Sequence, residues 1–77
     1  MDMAAHDEYY DDRKRLGMRV SRIRQAKGLS QSRFAMMLEM SRPTLNMIES
    51  GYDNFKINTL ARIARGLGVE IEDLFKD

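Results

Sequence analysis

The chain has 77 residues, 32% of them charged, with a formal net charge of +1 and no cysteine. A chain of that length holds one domain and buries only about 60% of the surface it exposes unfolded, so a dimer interface is an expected supplement to the core. The lack of cysteine excludes a disulfide framework and a cysteine-based zinc site, and no apolar run approaches the ~18 residues of a membrane span. The small total charge hides a segregation. Residues 1–12 carry five acids and no Lys or Arg, whereas residues 13–69 carry twelve Lys or Arg against three acids (Glu39, Glu49, Asp53), a balance of +9. Residues 70–77 return to −3. A basic block that coincides with the folded body suits counterion release from phosphate, although a solvated helix surface accounts for the same charges more plainly. The N-terminus lacks the basic-then-apolar order of a secretory signal, which makes the cytoplasm the expected location.

In chain order, residues 1–12 read as an acidic tail that either stays loose or extends the first helix, and 13–77 as the folded domain. Leu16, Val20 and Ile23 repeat at intervals of four and three, which places them on one face of a helix from about 13 to 27. Asp11 and Asp12 suit its N-terminus and Gly28 its stop. Ser30 caps a second, short helix whose Phe34, Ala35 and Leu38 turn inward. Ser41 caps a third, with Pro43 in the first turn, Leu45 and Ile48 inward, and Gly51 as a left-handed end. Only about Glu39 to Ser41 separates the two. Helices joined so tightly cross at roughly 90–120°, the helix-turn-helix arrangement. Residues 51–56 read as a loop. Ile57, Leu60, Ile63, Ala64 and Leu67 then predict a fourth helix ended by Gly68, and Val69, Ile71, Leu74 and Phe75 a short fifth one from about 71 to 76. The expected fold is all-α, compact and five-helical.

The stretch LGMRVSRIRQAKGLSQSRFAMMLEMSRPTLNMIESG, followed by INTLARIARGLGVEIEDLF, resembles the lambda-repressor-like (Xre/Cro type) helix-turn-helix regulators over residues 16–75. The resemblance rests on GLSQ opening the second helix, Ala35 inside it, Ser41 before the third, Ile-Glu-Ser-Gly ending that helix, and Leu-Gly-Val between the last two. It implies sequence-specific binding of double-stranded DNA by a transcription regulator of the Xre family, a repressor or autoregulator, with the third helix in the major groove. A helix presented by its leading end fits that groove, which is about 12 Å wide and distinguishes all four base pairs.

The outward positions near the start of the third helix are Arg42, Pro43, Thr44, Asn46 and Met47, the expected base contacts. Arg42 leads them, because its planar fork can bond O6 and N7 of guanine together; a phosphate or solvent contact is the alternative. By resemblance, Gln31 supports the reading helix and contacts phosphate, at a helix end whose N–H groups attract anions. Ser41, Ser50, Tyr52, Asn54 and Lys56 are the further expected phosphate contacts, set against a merely solvated loop. Arg24 and Glu49 match positions that form a structural ion pair in the family. The family also implies a homodimer through Ile71, Leu74 and Phe75, reading a palindromic operator.

Several positions depart from the family pattern. Glu39 stands where glycine is frequent, so a non-glycine residue is expected in the left-handed region at about 1–2 kcal/mol. Pro43 and Met47 replace polar readers and leave only apolar contact with a thymine methyl. Lys56 and Glu70 replace the usual caps, so the last two helix starts are expected to be poorly satisfied. Met36 and Met37 are expected to pack along the core edge, the alternative being a partner site. No cofactor or metal is expected: His6 is the lone histidine, the acids Asp7, Glu8, Asp11 and Asp12 lack a calcium-type loop, and GLG at Gly66 to Gly68 follows no strand. Catalysis is not expected. The alternative reading is a protein-interaction module or antitoxin on the same fold, with the acidic tail as a phosphate mimic that occludes the groove.

Overall fold

The computed structural model describes residues 8–76; His6, Asp7 and most of the acidic tail lie outside them. The described residues form four α-helices, α1 (Tyr10–Ala26), α2 (Gln31–Met37), α3 (Arg42–Glu49) and α4 (Ile57–Leu67), and a 3₁₀ helix, Ile71–Phe75. There is no strand among them. The first helix starts at Tyr10, so Asp11 and Asp12 occupy its first turn, where their charge favours the helix dipole.

The expected fifth α-helix is a 3₁₀ helix, and the difference decides which side chains it buries. In 3₁₀ geometry residues i and i+3 eclipse. Ile71 and Leu74 therefore align inward, with Leu74 fully buried, while Phe75 is turned out and 53% exposed. Ile57, at the first position of α4, is likewise exposed rather than in the core. The start at Glu70 is better satisfied than expected: the Glu70 amide donates to Asp73 Oδ2 at 2.9 Å in a reciprocal capping box. Lys56, by contrast, supplies no side-chain cap to α4.

The core consists of Val20 from α1, Phe34, Ala35 and Leu38 from α2 and its end, Leu45 and Ile48 from α3, Leu60, Ile63, Ala64 and Leu67 from α4, and Leu74. Phe55 packs against it from the loop. All four α-helices end in the same way. A residue just past each helix donates back to a carbonyl five residues earlier: Leu29 to Arg24, Met40 to Ala35, Tyr52 to Met47 and Val69 to Ala64. This closure needs a residue in the left-handed region. Gly28, Gly51 and Gly68 supply it at three ends, and Glu39 at the fourth, with φ 56°. That fourth end is the turn between α2 and α3, and Arg62 of α4 braces it by donating from Nη1 to the Leu38 carbonyl at 2.6 Å.

Candidate nucleic-acid interface

The leading turn of α3 follows directly from its sequence. Ser41 sits in extended backbone, its Oγ accepts from the Thr44 amide at 3.2 Å, and Pro43 lies in the first turn, where no carbonyl awaits its missing N–H. Leu45 and Ile48, on one face, are sealed into the core. Arg42, Pro43, Asn46 and Met47 are consequently exposed on the other, and Thr44 is half-buried, with its hydroxyl 2.8 Å from Ser41 Oγ. Ser41 Oγ thus has a structural partner on each count.

The trailing end of α3 is held by α1. A Cβ on Gly17 would lie 2.5 Å from the Glu49 carbonyl oxygen and nearer still to that of Ile48, so the two backbones touch there. Two turns further along the same face of α1, Arg24 forms a two-pronged pair with Glu49, Nε to Oε2 at 2.7 Å and Nη2 to Oε1 at 3.1 Å. Both are more than nine-tenths buried. Arg24 Nη1 also donates to the Leu29 carbonyl at 2.6 Å, and Gln31 Nε2 donates to Glu49 Oε1 at 3.0 Å. No buried side-chain polar atom among the described residues lacks a partner. The cluster joins the end of α1, the start of α2 and the end of α3.

Gln31 Nε2 also reaches Asn46 Oδ1 at 3.2 Å, which leaves the Asn46 amide group as the donor facing outward. Thr44, Asn54 and Lys56 line one groove of about 320 Å³ between α3 and the following loop. Gln31 thus adjoins α3 at Asn46, and Lys56 adjoins it across the groove at Thr44. Ser50 is half-buried at the end of α3. Tyr52 is exposed but engaged: its ring lies 5.5 Å from that of Tyr10, centroid to centroid. The Tyr52 side chain beside it, followed by desolvation, holds the Tyr10 phenol above its ordinary pKa of 10.0.

The helix-turn-helix family model matches residues 20–74, which include α2, α3 and the buried Arg24 and Glu49 pair. The chain belongs to that family, as an Xre-type DNA-binding regulator of transcription. Among the relatives of this helix-turn-helix regulator is control protein C.MunI of Mycoplasma sp., 34% identical over 68 residues that span 87% of this chain and 92% of the relative. The crystal structure of the restriction-modification controller protein C.AhdI from Aeromonas hydrophila superposes with a TM-score of 0.84 at 31% identity, covering 88% of this chain and 99% of the other.

Two sequence expectations for this regulator need correction. Met36 and Met37 do not pack along the core edge; they are 77% and 51% exposed on α2. Leu74 is a core residue, so of the three residues expected at a dimer interface only Ile71 and Phe75 retain surface. Sequence reasoning also passed over Gly17, Tyr10, Arg13 and Arg62. Gly17 carried a signal, since it falls three residues before Val20 and seven before Arg24, on the stripe that faces α3. The other three act through contacts between distant segments, for which local spacing offers no cue.

Proposed function

We propose that this regulator binds a palindromic operator as a homodimer, with the leading turn of α3 in the major groove, and controls transcription of restriction-modification genes. The observation that carries the reading is the exposed, basic tip of α3 mounted on a fully hydrogen-bonded cluster behind it. Arg42 bonds a guanine edge, the Asn46 amide donates to an adjacent acceptor, and Pro43 and Met47 make apolar contact with thymine methyls. Thr44 sits at the groove wall. Ser50, Asn54 and Lys56 meet backbone phosphates on one side, and Gln31 meets them on the other through its backbone amide, because both protons of its Nε2 are taken by Glu49 and Asn46, which fixes the register. Ser41 serves chiefly as the cap that aims the helix. Ile71 and Phe75 supply the dimer contact. The genes under control are inferred from the two relatives, whose names describe controllers. The mode in this reading is repression, including of the regulator's own gene, as the family resemblance implies.

Selection from random duplexes tests the reading in one experiment. Enrichment of a sequence with two inverted half-sites about 10 base pairs apart is the expected result. Recovery of no enriched site at ~50 mM salt would remove it.

A further inference from the structure

The first turn of α1 reaches across to the loop after α3. We propose that Tyr10, Arg13 and Lys14 are positioning residues for DNA binding, forming a strut that presets the loop Gly51–Lys56 in the shape that meets the phosphate backbone. The proposal rests on the reading of that loop as a phosphate clamp.

Three contacts build the strut. Arg13 Nε donates to the Gly51 carbonyl at 2.9 Å, across 38 residues of sequence. The backbone of α1 comes so near that a Cβ on Gly51 would lie 2.8 Å from both Cα and N of Lys14, and Gly51 has φ 83°, a conformation side chains rarely adopt. The Tyr10 ring meets that of Tyr52 at a tilt of 36°, and Lys14 Nζ lies 5.9 Å from the centre of the Tyr10 ring. Both contacts centre on Tyr10, beside the loop.

The loop needs such support. The Tyr52 amide donates to Met47, yet among the described residues no backbone carbonyl accepts from the amides of Asp53, Asn54 or Phe55. Between the Gly51 pivot and the start of α4, the loop is held mainly by Phe55 against the core. A clamp that must be ordered during binding loses affinity in proportion to how seldom its competent shape is populated. The strut removes that loss by fixing the pivot from outside. The side chains involved touch the loop rather than the groove formed by Thr44, Asn54 and Lys56.

The test uses the full chain and a random-sequence duplex of about 20 base pairs at ~50 mM salt, where phosphate contacts dominate. Tyr10→Leu, and Arg13→Lys, which keeps the charge but not the Nε geometry, are each expected to weaken binding about fivefold or more, within the range for coupled neighbours. Tyr10→Phe keeps the ring and should retain most of the affinity. In the free protein, Tyr10→Leu should speed hydrogen exchange at the Tyr52 amide while the amides of α2 stay unchanged, a local effect that general destabilisation does not produce. Combined with Lys56→Ala, Tyr10→Leu should cost less than it does alone. If Lys56→Ala weakens binding but both strut variants bind like the parent, or if the Tyr10→Leu and Lys56→Ala effects simply add, the strut is overturned and the clamp stands. If Lys56→Ala has no effect, the clamp reading falls and takes the strut with it.

Discussion

The two ends of α3 are built to opposite specifications. Its leading turn is capped by Ser41, exposed at Arg42, Pro43, Asn46 and Met47, and touched from the side by Gln31 at Asn46. Its trailing turn is gripped by the Gly17 contact, the buried Arg24 and Glu49 pair, and Arg13 at Gly51. A reading helix requires this asymmetry. Groove contacts discriminate only when the side chains arrive in one geometry, and an exposed tip is fixed in space by whatever holds its far end.

Damage to the two ends should therefore differ in kind. The largest effect is expected at the mount. Arg24→Ala leaves Glu49 buried without its cation and should lower stability by about 3–5 kcal/mol, measured by urea unfolding. The double change Arg24→Met with Glu49→Leu removes both charges and should cost far less. Were the double variant as unstable as the single one, the pair would owe its value to shape rather than to charge. Gly17→Ala places a methyl against backbone carbonyls that have nowhere to retreat, and a loss of about 3 kcal/mol is expected, the upper end of overpacking costs. A parental melting temperature for this variant would show that α1 and α3 can separate without penalty.

At the tip, the same measurements should register almost nothing. Arg42→Ala should leave unfolding unchanged but reduce discrimination between the selected operator and random duplex by about 1–3 kcal/mol. Equal losses on both duplexes would reassign Arg42 to phosphate. On the flank, Lys56→Ala should weaken all duplexes alike and lower the slope of log affinity against log salt by about 1. The smallest expected effect lies in the turn that joins α2 to α3. Glu39 holds φ 56°, so Glu39→Gly relieves left-handed strain but adds chain entropy when unfolded, for a net gain of about 0.5–1 kcal/mol. A loss of stability there would mean that the Glu39 side chain makes a contact worth more than the strain.

Much of the site was legible before any coordinates. Ser30 and Ser41 cap the helices they precede, Phe34, Ala35, Leu45 and Ile48 are buried, and Glu39 adopts the conformation that its place in the turn demands. Each of these depends on residues within four or five positions of one another. The misreadings share a different cause. Ile57 falls on the helical repeat yet lies at the surface, and Leu74 is sealed in the core rather than left for a partner, because periodicity names a face without saying how far the neighbouring elements extend. Met36 and Met37 were assigned by residue type, and residue type alone does not reveal which side of a helix is covered.

Caps, turns, the helix periods and the basic middle were settled by the order of residues alone, because they arise from hydrogen bonds and side-chain spacing within single elements. Folding in three dimensions decided that α1 touches α3 at Gly17, that Arg13 and Tyr10 reach the loop beyond α3, and that the last turn is a 3₁₀ helix showing Phe75 to solvent. Those outcomes depend on how closely separate segments approach. Approach distance is set by the whole packed core at once, and no short stretch of sequence contains it.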